Sequence, residues 1–354
     1  MPPPNELCSA REVSVEGMQH SETDQRGRTD LEAAREAIER LGRRARAVII
    51  GRNEVIELTL IALVADGHVL LEDYPGSGKT TLARCLGESV ESSGDPEGFA
   101  PFRRIQFTPD LLPSDVTGTS VFELEHSRFA FRPGPIFAHI VLADEINRTS
   151  PKVQAAMLEA MAEKQVTIDN ATHPLDELFF VIATQNPLDV AGTYPLPTPQ
   201  LDRFLFKLEM KHIERQAELD VLRQYPRPSL EMGRDLPKVQ KSELLAARRI
   251  VRGAVHIAAP IREGLVDLAR SLRADERVLQ GASTRSLVLM LPALQARALI
   301  HGRDYVGPED VEALAYPVFA HRIECVPGVL NKTEVIRAHV LPTVEKLARL
   351  SLSR

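Results

Sequence analysis

Short apolar runs alternate with helical segments between residues 68 and 210. Five of these runs are rich in leucine, β-branched and aromatic side chains, and they occupy residues 68–72, 103–107, 139–144, 179–184 and 203–210. Continuous apolar runs separated by helices are typical of a parallel sheet that is buried on both faces. The pattern therefore predicts an α/β domain, which we place at residues 30–212.

Helical periodicity replaces the β pattern beyond about Ile213. One segment spaces its apolar residues by four, three and four positions, at Ile261, Leu265, Leu268 and Leu272. Pro308 follows Gly307 where a first helical turn tolerates proline. The sequence thus predicts an all-helical domain over residues 213–354, with the proline-bearing stretch 225–237 as a loop between its first and second helices.

Three further segments of the α/β region have a clear period. Residues 151–164 carry one apolar stripe at helical spacing, and core packing is the favoured role of its methionines, Met157 and Met161. Residues 117–131 and 166–178 alternate as β-hairpins do, and the second contains an Asn-bearing turn. The simplest interpretation is that both hairpins are structural.

The N-terminal segment, Met1 to Thr29, is rich in Pro, Glu, Ser, Gln and Arg and poor in large apolar groups. Such a composition does not offset the entropy lost on ordering, so a disordered tail without a specific role is expected at residues 1–29. Order is expected to begin near Thr29, which can cap a helix together with Glu32, three residues on.

Composition narrows the classes of function. The formal net charge is −6, which disfavours binding to a nucleic-acid backbone, although a local basic pore would not show in a whole-chain sum. The three cysteines are far apart, so neither a zinc site nor a disulfide framework is indicated. No apolar stretch approaches the roughly 20 residues that span a bilayer, and no signal peptide is evident. A cytoplasmic protein is expected.

The sharpest chemical motif is DYPGSGKTT at residues 73–81, between an apolar strand and a predicted helix. This is the context of a P-loop, in which backbone N–H groups and a helix N-terminus hold the phosphates of ATP. The usual GxxxxGK[ST] pattern has Gly at the first position, where this chain has Asp73. Lys79 is expected to reach the β- and γ-phosphates, and the Thr80 hydroxyl to bind Mg²⁺. The predicted nucleotide-binding residues are Asp73, Pro75, Gly76, Ser77, Gly78, Lys79, Thr80 and Thr81.

Two later strands end in polar side chains. The strand at residues 139–144 ends in Asp144 and Glu145, and the arrangement predicts that Asp144 holds Mg²⁺ and that Glu145 orients the attacking water. Asn186 follows the strand at residues 179–184 and is placed to hydrogen-bond the γ-phosphate or that water. A capping or turn role before Pro187 is the alternative for Asn186.

With these motifs in place, the chain resembles AAA+ ATPases and, among them, the MoxR family. The likeness covers about residues 48–323, and it is carried by GHVLLEDYPGSGKT, FRRIQFTPDLLPSDVTG, IVLADEINRTSPKVQAAMLEAM, FFVIATQNP, GTYPLP, QLDRFLF and GASTRSLVLMLPALQARALIHGRDYVGPEDV. This chain has PLPTPQLDRF where the family usually has PLPEAQLDRF, so Thr198 replaces an acidic residue and Pro199 is gained.

The resemblance implies a five-stranded parallel sheet, a helical lid, and a ring of six subunits with ATP between neighbours. It assigns Asn186 to sensor 1, Arg203 to the arginine finger that a neighbouring subunit supplies, and Arg285 to sensor 2. Arg148 is a rival to Arg203 that spacing does not exclude. The alternative for Arg203 is a surface salt bridge with Asp202 or a nearby carboxylate, and Arg285 has a similar alternative.

The resemblance also implies a role. The two hairpins match insertions that line ring pores and engage substrate, which suggests a Mg²⁺-dependent, chaperone-like motor that remodels or activates client proteins, with von Willebrand factor A domain proteins as partners. A magnesium-chelatase-like subunit, a ring helicase and an ATP-binding scaffold with weak hydrolysis are the alternatives. Neither the client nor the pathway follows from the sequence.

Overall fold

The computed structural model describes residues 9–73, 76–92, 99–186, 192–224, 229–329 and 331–352. Its first element is helix α1 (Ser9–Val48), so residues 9–29 form helix here and not the expected disordered tail. Thr29 consequently lies inside α1 instead of capping its start. No proline interrupts the chain from Ser9 to Val48, so the residue that breaks helices most strongly does not occur between the predicted tail and the predicted helix.

Helix α2 (Asn53–Ala65) follows and is apolar on every side. Nine of its residues are buried, including every position from Leu58 to Ala65. A helix that is hydrophobic all round belongs in a core, and α2 accordingly contacts α1, the strand Phe206–Met210 and the later helices Lys241–Ala254 and Thr284–Ile300.

The α/β core contains the predicted strands, their connecting helices and the two hairpins. In chain order its elements are β1 (Val69–Asp73), α3 (Lys79–Glu88), β2 (Val90–Glu91), β3 (Ala100–Gln106), α4 (Pro113–Thr117), β4 (Gly118–Glu123), β5 (Arg128–Pro133), β6 (Ala138–Asp144), α5 (Pro151–Glu163), β7 (Gln165–Ile168), β8 (Ala171–Pro174), β9 (Phe180–Gln185), α6 (Thr198–Leu201) and β10 (Phe206–Met210).

Five of the strands form one parallel sheet in the order β10-β1-β9-β6-β3, which confirms the predicted fold class. Alternate side chains of each strand enter two different apolar clusters. Leu71 and Ile182 face the layer with α2 and α3, whereas Leu70 and Val181 face α5. The sheet is therefore buried on both faces, as the continuous apolar runs indicate.

Helix α5 and the two hairpins match their predictions. Met157 and Met161 of α5 are buried in the core. The β4–β5 and β7–β8 pairs are antiparallel hairpins, and the second turns at Asp169 and Asn170, both with positive φ. The two hairpins touch, because the ring of Phe131 stacks on that of His173 with 3.8 Å between centroids.

The C-terminal region is helical apart from three short strands. Its elements are α7 (Arg215–Gln224), β11 (Val239–Gln240), α8 (Lys241–Ala254), α9 (Ala259–Ala274), β12 (Val278–Gln280), α10 (Thr284–Ile300), α11 (Pro308–Phe319), β13 (Glu324–Cys325) and α12 (Lys332–Leu352). Pro308 occupies the first turn of α11, as predicted. The buried residues of these helices are continuous with the α2 side of the core.

His68, just before β1, ties three elements of the core together. Its Nδ1 accepts a hydrogen bond from the backbone N–H of Val181 at 3.1 Å, and its Nε2 lies 3.1 Å from the carbonyl oxygen of Met161. One ring nitrogen must therefore accept while the other donates, which requires the neutral imidazole. Burial lowers the pKa of His68 to about 4.

Acid should therefore weaken the fold through His68. Between pH 6.5 and 4, His68 binds a proton in the unfolded chain but stays neutral in the folded chain. The free energy of unfolding therefore falls as the pH falls, by on the order of 3 kcal/mol. Urea denaturation at pH 7 and pH 4.5 measures this loss. It should be smaller in His68→Gln and unchanged in His126→Gln, whose side chain is exposed. Equal losses in all three proteins would contradict the assignment.

Candidate functional site

Two glycines of the predicted P-loop have left-handed backbone conformations. Gly76 and Gly78 have φ values of 87° and 93°, which side chains with a Cβ rarely adopt, and open space lies beside both. Helix α3 begins at Lys79, as predicted, directly after Gly78. Asp73 ends β1, while its side chain and all of Pro75 lie outside the described residues.

A cleft of about 500 Å³ opens beside this loop. The P-loop residues Gly76, Ser77, Gly78 and Thr81 line one part of it. The sequence interpretation did not assign the rest of the lining, which comprises the polar residues Arg52, Lys211, His212 and Glu218 and an apolar group that we call the apolar end, Val48, Ile49, Ile50, Met210, Ile213, Val221 and Leu222. Backbone N–H groups suit phosphates and aliphatic side chains suit an apolar ring system, so the cleft offers both kinds of lining that a nucleotide needs. The apolar run of residues 48–50 ahead of Gly51 was the available signal.

Gly51 lets the lid close one side of this cleft. It has a φ of 74°, and a Cβ at this position would lie 2.6 Å from the Cβ of Ala217 in α7. A larger residue would push α7, which carries Val221 and Leu222, away from the apolar end of the cleft.

Lys79, Asp144 and Thr184 meet at the carboxyl edge of the sheet. Lys79 Nζ lies 3.5 Å from Asp144 Oδ1, and the Thr184 hydroxyl donates to the same oxygen at 2.7 Å. Thr184 also accepts from the backbone N–H of Glu145 at 2.9 Å. Strand β9 thereby fixes both acidic residues, a contribution that the sequence interpretation did not include.

Glu145 has a left-handed backbone conformation, with φ 59° and ψ 48°. For a residue with a side chain this conformation costs about 1–2 kcal/mol, and such strain clusters at functional sites. The Glu145 carboxylate accepts from Gln106 Nε2 at 2.9 Å and pairs with Arg148 Nε at 3.1 Å. The rival trans arginine, Arg148, therefore contacts Glu145 of its own chain.

Arg104 of β3 binds the other oxygen of Asp144. Its Nη2 and Nε donate to Asp144 Oδ2 at 2.6 and 3.0 Å, and Nη2 also donates to Gln106 Oε1 at 2.6 Å. The contacts join Asp144, Arg104, Gln106 and Glu145 in one chain of polar side chains. Arg104 was not among the predicted site residues.

The side chains at this edge fit a Mg²⁺ ion. Burial raises the pKa of Asp144, but hydrogen bonds from Thr184 and Arg104 and the charge of Lys79 outweigh it and hold the pKa below its usual value. The carboxylate is therefore ionised, and Thr80 supplies a hydroxyl at the start of α3. Among the described residues no three His, Cys, Asp or Glu side chains cluster, and Mg²⁺ needs no such cluster because it keeps several waters and takes phosphate oxygens.

Asn186 follows β9 immediately. Because β9 lies between β1 and β6 in the sheet, Asn186 is at the same edge as the P-loop and Asp144, between the two. This position agrees with the expected one, and its role as a sensor stays a prediction.

Arg203 and Arg285 lie away from this edge. Arg203 lies before β10, and the start of β10 pairs with the start of β1. The P-loop follows the other end of β1. The five residues of β1, about 16 Å, therefore separate Arg203 from the P-loop of its own chain. Its Nη1 donates to the carbonyl oxygen of Leu158 in α5 at 2.6 Å. Arg285 is exposed in the first turn of α10, next to Ser283 and Ser286, whose hydroxyls lie 3.5 and 3.3 Å from the carboxylate of Asp202. Both arginines thus adjoin Asp202, Arg203 along the chain and Arg285 through the two serines, and neither is among the residues that line the cleft.

Comparisons with known proteins agree with this geometry. Residues 68–206 match the model of the ATPase family associated with various cellular activities (AAA), and residues 270–338 match the AAA lid domain. A chaperone, MoxR1 of Mycobacterium tuberculosis, is 35% identical over 90% of this chain and 84% of its own length. The chain belongs to the MoxR family of AAA+ ATPases.

Other relatives extend this assignment. An uncharacterised Bacillus subtilis protein, YeaC, is 45% identical over 86% of this chain and 90% of its own length. The crystal structure of a candidate ATPase from Cytophaga hutchinsonii superposes with a TM-score of 0.79 at 34% identity, covering 92% of this chain and 98% of that one. The chain is thus an ATPase of the MoxR type by family. No helix in the described part of this MoxR protein combines the length and apolar character needed to cross a membrane.

Proposed function

We propose that this protein is a Mg²⁺-dependent motor that assembles into a ring, with six subunits as the expected number, and hydrolyses ATP to ADP and phosphate between neighbouring subunits. The observation that carries this proposal is the separation of Arg203 from its own cleft by the length of the sheet. An arginine at that distance cannot complete its own site, whereas a neighbour's copy can. Supplying the cation from a second subunit makes hydrolysis depend on assembly.

Each residue then has a chemical role. The P-loop N–H groups, Lys79 and Thr81 bind the phosphates, and Thr80 and Asp144 would hold Mg²⁺, which neutralises charge on the phosphates when bound. Glu145 orients the attacking water and accepts its proton, with Asn186 beside it. Arg203 and Arg285, which both adjoin Asp202, approach the neighbour's γ-phosphate and stabilise the charge that develops there.

Client contact is proposed for the β4–β5 hairpin. Its side chains Phe122, Leu124 and Phe129 are 46%, 84% and 73% exposed, and the two phenylalanine rings contact edge to face at 5.2 Å between centroids. Exposed apolar groups of this size mark sites of protein contact. They support protein remodelling or activation, with or without a von Willebrand factor A domain partner, over work on nucleic acid.

Glu145→Gln tests the motor. The variant should bind ATP with Mg²⁺ as the wild type does, but turn it over at least about 100-fold more slowly, because the amide does not accept the proton of the attacking water. The measurements are phosphate release and retention of ATP on the assembled protein. Glu163→Gln, the same change at the exposed end of α5, is the control and should keep wild-type turnover. Equal, negligible turnover in wild type and Glu145→Gln would favour the scaffold over the motor.

A further inference from the structure

The guanidinium of Arg104 covers the solvent side of Asp144. The carboxylate of Asp144 is 3% exposed, whereas the Arg104 side chain is 48% exposed, so Arg104 reaches the buried carboxylate from the solvent side of the site. Two of its N–H groups, Nε and Nη2, converge on the single oxygen Oδ2, at 3.0 and 2.6 Å.

The other oxygen of Asp144 is already in use. Oδ1 accepts from Thr184 at 2.7 Å and lies 3.5 Å from Lys79 Nζ. An incoming Mg²⁺ with its waters must therefore use the oxygen that Arg104 occupies, and it must do so against the positive charge of the guanidinium. Arg104 and Mg²⁺ compete for one carboxylate.

We propose that Arg104 is an internal cation that neutralises Asp144 in the nucleotide-free protein and is displaced when Mg²⁺ and ATP bind. This inference rests on the proposed function, and it adds a regulatory element: Arg104 sets the Mg²⁺ concentration at which the site loads. Because Arg104 is half-exposed on a flexible side chain, it can leave into solvent at moderate cost.

Displacement of Arg104 also affects the carboxylate of Glu145. Arg104 Nη2 holds Gln106 Oε1, and Gln106 Nε2 in turn holds Glu145 Oε2. When Arg104 leaves, Gln106 loses the hydrogen bond that orients its amide towards Glu145. Arg104 is thus a positioning residue, acting through Asp144 and Gln106, and it does not itself touch the reacting atoms.

Nucleotide binding as a function of free Mg²⁺ tests this proposal. The probe is a fluorescent, non-hydrolysable ATP analogue, titrated at a series of Mg²⁺ concentrations buffered with EDTA. In Arg104→Ala the Mg²⁺ concentration that gives half-maximal binding should fall about 5- to 10-fold, because Mg²⁺ no longer displaces a charge-assisted hydrogen bond. Arg104→Lys keeps the charge but not the paired donors, and its midpoint should lie between those of wild type and Arg104→Ala.

Arg103→Ala is the matched control, because it removes the same charge from the next position of β3. Arg103 is exposed, and strand alternation places it on the opposite face of the sheet. Its Mg²⁺ midpoint should equal that of the wild type. If Arg104→Ala does not fold, Arg104→Gln makes the same test with an uncharged side chain of similar length.

The outcomes separate this proposal from the proposed function. An unchanged or higher Mg²⁺ midpoint in the Arg104 variants, with normal binding by the wild type, would overturn the competition and leave the ATPase intact. Failure of the wild type itself to bind the analogue with Mg²⁺ would instead contradict the proposed function. A fall in the midpoint that Arg103→Ala reproduces would show a general effect of surface charge and would also overturn the proposal.

Discussion

Arg203→Ala is expected to lower ATP turnover by the assembled protein about 10³-fold while leaving ATP binding near the wild-type level. The size follows from what an arginine next to the γ-phosphate contributes when a second subunit supplies it. Binding should persist, because the P-loop and the apolar end of the cleft lie at the other edge of the sheet. Steady-state phosphate release and equilibrium binding of an ATP analogue measure the two effects.

Mixing two inactive variants tests whether the arginine acts between subunits. Lys79→Ala subunits lack a working cleft but carry Arg203, whereas Arg203→Ala subunits have a cleft and lack the arginine. A mixture should recover part of the wild-type turnover, since a Lys79→Ala subunit can complete the site of an Arg203→Ala neighbour. If the mixture stays inactive, or if a monomeric form hydrolyses ATP as fast as the assembly, the trans role is wrong.

Arg148→Ala tests whether Arg148, rather than Arg203, is the arginine that acts between subunits. Arg148 pairs with Glu145 of its own chain at 3.1 Å, so its loss should disturb the orientation of Glu145. A mixture of Arg148→Ala with Lys79→Ala should then show no recovery, because the neighbour cannot replace a contact within the chain. Recovery in that mixture, and not in the Arg203 mixture, would exchange the two assignments.

The sequence predicted the sheet well because its strands are buried on both faces. A run such as residues 139–144 is apolar at nearly every position, which few other environments require, and β6 occupies Ala138–Asp144. The P-loop is equally local, since glycines, a lysine and a helix start lie within nine residues, and α3 begins where the motif places it.

A turn explains why the strand predicted to start at Arg203 starts later in the structure. The apolar run suggests a strand from residue 203, but β10 begins at Phe206. The N–H groups of Arg203 and Phe204 instead bond to Gln200 and Leu201, which closes a turn after α6. Pro199, a departure from the family pattern, fits within the first turn of α6, where a missing N–H costs nothing.

Contacts between residues that are far apart along the chain could not be predicted from the sequence. Arg104 is 40 positions from Asp144, and only the neighbouring places of β3 and β6 in the sheet bring them together. The apolar end of the cleft likewise combines residues 48–50 with Val221 and Leu222 of the lid. Periodicity identifies such residues as buried, but it does not specify which buried groups meet.

A buried long-range polar contact joins the lid to the segment that bears Arg203. Arg322, after α11, has a side chain that is 1% exposed, and its Nε donates to Asp202 Oδ1 at 2.7 Å. Its Nη groups donate to the carbonyl oxygens of Asp202, Phe204, Leu205 and Val318. One buried guanidinium thus fixes residues 202–205 on the lid, and Asp202 is its only carboxylate partner among the described contacts.

Asp202→Ala should therefore be among the most destabilising single changes in the chain. Burial lowers the pKa of Arg322 and Asp202 opposes that effect, so removing Asp202 leaves a buried cation without its counter-charge. Breaking a buried pair from one side costs about 3–5 kcal/mol, and the partial exposure of Asp202 places this pair at the lower end, near 3 kcal/mol. Urea denaturation measures the loss. Asp220→Ala, which breaks an exposed pair with Arg223, should cost less than about 1 kcal/mol.

Asp202→Asn isolates the effect on turnover, since an amide keeps an acceptor for Arg322 and for the serines of α10. The variant should fold and bind ATP, yet lose turnover because Arg203 and Arg285 are less firmly positioned. If Asp202 acts through Arg203, the double variant Asp202→Asn/Arg203→Ala should be no slower than Arg203→Ala alone, since the same contribution cannot be removed twice. Additive losses of turnover would show that Asp202 acts by a route independent of Arg203. In the stability experiment, equal free energies of unfolding for Asp202→Ala and Asp220→Ala would show that the contacts of Arg322 do not hold residues 202–205 on the lid.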